Sequence, residues 1–122
     1  MVLITPDLSD MTKPLEAGEY KVRITGAEAG EWRTGTPYVN WKMEIFDHDQ
    51  ANGRMVFHKT PTAGKGIDFL ARFYKAAMKQ DIGGAFDADE LMSKEVKVVL
   101  QYGVDQEGNT RSFPDVKSVA AL

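Results

Sequence analysis

An amphipathic helical pattern lies in the middle of the chain, between two groups of segments that alternate like β-strands. Apolar side chains recur at helical spacing from Ile67 to Met78, and charged side chains occupy the opposite side. Three alternating segments precede this helix and two follow it, with predicted bounds of 19–27, 38–46, 54–60, 95–104 and 110–119. Only a few folds bury the helix and all five strands in this order.

The order of three strands, one helix and two strands predicts a mainly β protein. It is the order of the five-stranded Greek-key OB-fold barrel, in which one amphipathic helix lies between strands 3 and 4. An open antiparallel sheet packed against the same helix is the alternative, and strand order alone does not distinguish the two. We expect residues 1–17 to form a loosely ordered N-terminal arm and residues 18–122 to form the OB-fold domain.

Alternation also predicts which side chains of the first two strands face the core, but not those of the third. In the first strand Tyr20, Val22 and Ile24 share one face, and Gly26 then interrupts the pattern as a bulge or bend would. The third strand is apolar on both faces, so the sequence does not tell whether Phe57 is buried. In the second strand the predicted inner face is apolar throughout: Val39, Trp41, Met43 and Ile45.

Composition excludes several classes of protein. The chain has no cysteine, so disulfide scaffolds, zinc ribbons and thiol catalysis are ruled out. Its net charge is -3, yet the stretch from Arg54 to Lys79 contains six basic residues and one acidic residue, which permits a local positive surface on an acidic body. No apolar run approaches the roughly 20 residues of a membrane span, and the first 12 residues lack the pattern of a secretory signal. We therefore expect a cytoplasmic protein with no membrane partner.

The sequence contains no convincing catalytic or cofactor-binding motif. His48 and His58 have no recognisable triad around them, and acidic turn residues such as Asp47 and Asp49 usually bond to nearby backbone rather than to a metal. The segment 62–66 is rich in glycine and has a lysine before the helix, but it lacks the upstream glycine and the Ser or Thr of a phosphate loop. We expect a protein that is not an enzyme and that holds neither a metal nor a cofactor.

Aromatic and basic residues are interleaved where an OB-fold binds single strands. Such folds use strands 2 and 3 and the connecting loops, where rings stack on bases while lysines and arginines contact phosphates. The alternative is that Tyr38 and Phe57 belong to the core, as strand aromatics often do. The candidate nucleic-acid-binding residues are Trp32 and Arg33 in the first loop, Tyr38 and Lys42 on the second strand, Phe57 and Lys59 on the third, and Arg111 and Phe113 on the fifth.

In three segments, at 15–24, 35–38 and 89–98, the sequence resembles a family of small bacteriophage proteins encoded in replication and recombination modules. Members of that family look like OB-fold single-stranded DNA-binding proteins. The resemblance implies single-stranded DNA as the partner, phage replication or recombination proteins as further partners, a possible homo-oligomer, and the host cytoplasm as the location. The last residues, 119–122, depart from the acidic tail by which many single-strand binders recruit enzymes.

Two functions of different classes follow from the sequence. The first is a non-catalytic protein that coats single-stranded DNA with low sequence specificity during phage replication or recombination. The second is a small β-barrel adaptor that uses the same aromatic residues to bind a protein.

Overall fold

In the part of the chain that the structure describes, five strands form one antiparallel sheet, and one α-helix packs on its inner face. The computed structural model describes residues 1–5, 15–104, 107–110 and 114–122. The strands lie in the order β3-β2-β1-β4-β5. The elements are β1 (Gly18–Glu31), β2 (Pro37–Phe46), β3 (Met55–Pro61), α1 (Ile67–Met78), β4 (Glu95–Gln101) and β5 (Asp115–Ala121).

The predicted order of strands and helix is confirmed, but strand boundaries differ, most of all at the ends of β1 and β4. β1 continues to Glu31, because it stays paired with β2 as far as Pro37 instead of ending near Ala27. β4 ends at Gln101, and Tyr102 beyond it donates a hydrogen bond from its hydroxyl to the Leu15 carbonyl at 2.5 Å. β5 is described only from Asp115, and residues 111–113 of the predicted fifth strand lie outside the described residues.

The expected N-terminal arm includes one residue that is part of the core. Leu15 is 7% exposed, and the Tyr20 hydroxyl donates to the backbone carbonyl of Glu16 at 2.6 Å. Residues 6–14 of the expected arm lie outside the described residues.

Trp41 occupies the centre of the core. Its side chain is fully buried, its Nε1 donates to Thr60 Oγ1 at 2.8 Å, and its ring contacts Phe73 with centroids 4.8 Å apart. One contact therefore joins β2, β3 and α1. The predicted inner face of β2 is confirmed.

The core side of α1 is rotated slightly from the one that the sequence predicted. Phe73 is fully buried, whereas Ile67 at the start of the helix is 38% exposed. The residues of the helix that are buried are Leu70, Phe73, Tyr74, Ala76 and Ala77.

β3 turns Phe57 away from the core. Val56 and Thr60 are buried and His58 is half-buried on the inner face, while Phe57 is 54% exposed on the outer face. The hydrogen bond from Trp41 to Thr60 decides this orientation, because a polar hydroxyl is stable in the core only when it has a partner.

Gly26 is the site of a β-bulge, as predicted. The register of β1 against β2 shifts between Ile24 and Gly26. Beyond the bulge Glu28 pairs with Asn40 and Gly30 with Tyr38, so these four residues lie on the outer face.

The two edges of the sheet are β3 and β5. Within the described residues these strands form no hydrogen-bonded ladder with each other, although they lie close together and α1 contacts both. The structure therefore gives a five-stranded antiparallel sheet with one helix, and closure into a barrel stays a prediction. In the described part of the chain, no helix is long and apolar enough to cross a membrane.

We expect Trp41→Ala to destabilise the fold by about 3–5 kcal/mol, because it leaves a large cavity and an unpaired Thr60 hydroxyl. Urea denaturation followed by circular dichroism measures the loss. Trp32→Ala is the matched control and should cost less than about 1 kcal/mol, since this ring is only half-buried. A larger loss for Trp32→Ala than for Trp41→Ala would contradict the assignment of the two faces of the sheet.

We also expect stability to fall between about pH 6.5 and pH 4 because of His58. Burial lowers the pKa of this imidazole to about 4, and the charge of Asp115 opposes the shift only partly. The unfolded chain binds a proton near pH 6.5 while the folded chain does not, so acid favours unfolding by up to roughly 3 kcal/mol. Urea denaturation at pH 7 and pH 4 should show a smaller pH dependence in His58→Leu than in the wild type; equal dependence would exclude His58 as the cause.

Candidate nucleic-acid interface

The turn between β1 and β2 places Trp32 and Arg33 at the tip of a hairpin. The Trp32 amide donates to the Thr36 carbonyl at 3.0 Å, and the Gly35 amide donates to the Trp32 carbonyl at 2.9 Å. Gly35 has a φ of 88°, a conformation that glycine adopts without strain. The connection between β1 and β2 is shorter than the predicted strand bounds of 19–27 and 38–46 implied, so the hairpin holds the backbone of Trp32.

Trp32 packs against Tyr38, the second residue of β2. Their ring centroids are 4.6 Å apart with an interplanar angle of 37°. Both side chains are half-buried, whereas Arg33 beside them is exposed. The two predicted aromatic residues therefore form one stacked pair outside the core.

Gly30 gives the Tyr38 ring its place on the sheet. A Cβ atom at position 30 would lie 2.6 Å from both Cζ and the hydroxyl oxygen of Tyr38, closer than any such contact allows. Only glycine lets the tyrosine ring lie against β1 at this point. Gly30 was not among the predicted site residues. The signal for it is a glycine directly across the hairpin from a tyrosine, which can be recognised only once the register of the two strands is known.

Lys59 lies over the Tyr38 ring. Its ammonium nitrogen is 5.0 Å from the ring centroid, the distance of a cation–π contact. On the adjoining positions Asn40 pairs with Lys59, and Lys42 pairs with Phe57. The structure thus brings six of the predicted residues onto one outer face and the hairpin tip beside it. We call this set the outer-face patch: Trp32, Arg33, Tyr38, Lys42, Phe57 and Lys59.

Arg111 and Phe113, the other two predicted site residues, lie outside the described residues.

Charge on the outer face is distributed unevenly. On the β1 and β4 side, Lys21 pairs with Asp47 at 2.8 Å, Arg23 with Glu95 at 2.9 Å and Lys97 with Glu19 at 3.3 Å. Within the described residues, the cations of the outer-face patch take part in no ion pair: Arg33, Lys42 and Lys59. These three cations are therefore available to an anionic partner. Glu28 and Glu44 share the face and keep its positive charge modest.

Asn40 is a polar residue of this face that the sequence analysis did not select. Its Oδ1 is buried and has no hydrogen-bond partner in the described residues. It lies between Tyr38 and Lys42 along β2, opposite Lys59. An unsatisfied buried acceptor is uncommon in a folded protein, and it places a polar group in the middle of the patch.

Two polar residues away from the outer-face patch, His48 and Asp87, stabilise local turns. His48 Nδ1 accepts hydrogen bonds from the amides of Gln50 at 3.2 Å and Ala51 at 2.9 Å, so it holds the turn after β2. Asp87 Oδ1 accepts a hydrogen bond from the Asp89 amide at 2.9 Å and caps the short 3₁₀ helix Ala88–Leu91. No group of metal-ligating side chains occurs among the residues that the structure describes.

An apolar groove lies on the other side of β2, between this strand and α1. Its volume is about 450 Å³, and its lining includes Val39, Ile67, Leu70, Ile82 and Phe86. The lining carries no charged side chain, so the groove suits an apolar ligand or side chain and not a phosphate.

Comparison with known proteins gives one family. The family model described as "Protein of unknown function (DUF669)" matches residues 5–122. No curated protein matches the chain.

We predict that Gly30→Ala displaces Tyr38 and with it Trp32, because the added methyl group would collide with the tyrosine ring. Near-ultraviolet circular dichroism and tryptophan fluorescence should change while far-ultraviolet spectra stay the same.

Gly26→Ala is the matched control for this substitution. It lies on the same face of β1, where a Cβ would meet Lys42 at an acceptable 3.4 Å. The aromatic spectrum should then remain that of the wild type; if both variants or neither changed it, Gly30 would not be what holds the ring pair.

Proposed function

We propose that this chain, which belongs to the DUF669 family, binds single-stranded DNA without strong sequence preference and without catalysis. The observation that carries the proposal is the outer-face patch, in which aromatic rings and unpaired cations lie side by side outside the core. Rings stack on unpaired bases of any sequence, at about 1–3 kcal/mol per base, and cations contact the phosphates.

Fold and patch position support the same function. We propose that the sheet closes into an OB-fold barrel, because the order β3-β2-β1-β4-β5 becomes the OB-fold order when the two edges meet. OB-folds bind oligonucleotides on the face of strands 2 and 3 and on the loop between strands 1 and 2. The outer-face patch occupies these places.

The cellular role that fits is protection of single-stranded intermediates. The resemblance to phage proteins of replication and recombination modules suggests the host cytoplasm as the setting and the proteins of those modules as partners. A homo-oligomer is compatible with this role, because single-strand binders often cover a strand with many copies.

A protein-binding adaptor is the second candidate function, and the apolar groove between β2 and α1 favours it. The groove and the exposed Phe57 together provide apolar surface of the kind that protein partners cover. An adaptor would bind its partner with little dependence on salt, unlike a DNA-binding protein.

Oligo-dT binding should quench the fluorescence of Trp32 and weaken as salt increases. Contacts from the three unpaired cations of the patch predict a slope of about −2 for the logarithm of affinity against the logarithm of salt concentration, since each phosphate contact to a single strand contributes about −0.7. A Trp32→Phe variant checks the source of the quenching, because Trp41 is fully buried. Absence of binding at low salt would refute the proposal.

Lys59→Gln should weaken binding and reduce the steepness of the salt dependence by about 0.7. Lys97→Gln is the matched control, because it removes the same charge from the outer face at a position already paired with Glu19. We expect Lys97→Gln to bind DNA like the wild type. Equal losses from the two variants would mean that overall charge, and not the patch, drives binding.

A further inference from the structure

We infer that a single strand contacts two separate rings, Trp32 and Phe57, and that Tyr38 between them positions Trp32 without stacking on a base. This inference rests on the proposed function and assigns different roles to residues of the same patch.

Tyr38 already has neighbours on its ring. The backbone of Gly30 lies against it closely enough to exclude a Cβ, Trp32 packs at 4.6 Å between centroids, and the Lys59 ammonium lies 5.0 Å from its centroid. A base would have to displace one of these groups to stack on Tyr38. The ring is better suited to holding Trp32 at the hairpin tip.

Phe57 is available in a way that Tyr38 is not. Its side chain is 54% exposed and forms no ring contact with the residues that the structure describes. Lys42 lies directly opposite it on β2. Each of the two stacking positions therefore has a lysine nearby, Lys42 beside Phe57 and Lys59 beside the Trp32–Tyr38 pair.

The register of β2 and β3 sets the spacing of the two positions. Tyr38 and Lys42 are four residues apart on β2, and Phe57 lies across from Lys42. The separation is about 14 Å along the strand, with one further strand spacing of about 4.8 Å to the side. This is the span from Tyr38 to Phe57, and Trp32 packs on Tyr38 with ring centroids 4.6 Å apart. At the stacked rise of about 3.4 Å the span corresponds to about four nucleotides, and fewer suffice when the strand is extended.

A strand of about three to five nucleotides is then the shortest that reaches both rings, which is near the low end of the roughly 4–16 nucleotides that an OB-fold covers. Asn40 lies between the two positions on β2, and its buried Oδ1 has no hydrogen-bond partner within the described residues. Shorter oligonucleotides contact one ring only.

Binding of fluorescent oligo-dT of two to eight nucleotides at low salt tests this arrangement. For the wild type we expect affinity to increase sharply between about three and five nucleotides. Phe57→Ala should remove that increase. Its affinity for the eight-nucleotide oligo-dT should fall by about 5- to 150-fold, equivalent to the loss of one stacked base, while its affinity for the dinucleotide stays that of the wild type. Met55→Ala is the control, on the same strand and face at 37% exposure, and should leave the length dependence unchanged.

Photo-cross-linking separates the role of Tyr38 from that of the other two rings. Oligo-dT carrying 5-iodouracil should cross-link to Trp32 and Phe57 and not to Tyr38, with the sites mapped by mass spectrometry. Tyr38→Phe keeps the ring and should bind like the wild type, whereas Tyr38→Ala should lose Trp32 quenching and affinity for all lengths.

Three results would overturn the inference. They are a cross-link to Tyr38, an unchanged length dependence in Phe57→Ala, and wild-type affinity of Tyr38→Ala. In each of these cases the proposed DNA binding itself would still stand. A wild-type protein that binds no oligonucleotide at low salt would instead refute both the proposed function and the inference.

Discussion

The hydrogen bond between Trp41 and Thr60 determines which faces of two neighbouring strands are inside. Trp41 is fully buried in the core, and its indole N–H requires an acceptor there. Thr60 supplies that acceptor, so β3 must turn its threonine inward. Because side chains alternate along a strand, the same contact turns Phe57 and Lys59 outward next to Lys42. The position of the outer-face patch therefore follows from the hydrogen bond that Trp41 requires in the core.

The bulge at Gly26 and the close approach at Gly30 extend this patch onto the hairpin. The bulge changes the alternation of β1, so that Gly30 comes to lie on the same outer face as Tyr38. Because Gly30 has no side chain, the Tyr38 ring packs against the backbone of β1 and contacts Trp32. A tryptophan at a hairpin tip would otherwise have many conformations, and restricting them lowers the entropic cost of the stacking that we propose.

In the proposed function, this face offers a single strand more opportunity for stacking than for charge contacts. The chain is acidic overall, and the cations on the β1 and β4 side of the sheet are neutralised by carboxylates. Three cations of the patch remain unpaired within the described residues, and two glutamates lie near them. Such a surface suits unpaired bases, whose flat faces a duplex keeps hidden, better than it suits the dense phosphate charge of double-stranded DNA.

The sequence by itself determined the order of the strands and the helix, the inner face of β2, the bulge at Gly26 and the presence of Trp32 in the first connection. These features follow from local periodicity and from the conformations that glycine permits, and both are readable without knowing the neighbours of a residue. The tertiary structure alone decided the orientation of β3, the full length of β1 and the packing of Tyr38 against Gly30. It also decided which lysines form no ion pair within the described residues. Each of those outcomes depends on which residues pair or pack across neighbouring strands, since a strand that is apolar on both faces and a lysine among several carboxylates have no preference until their partners are in place.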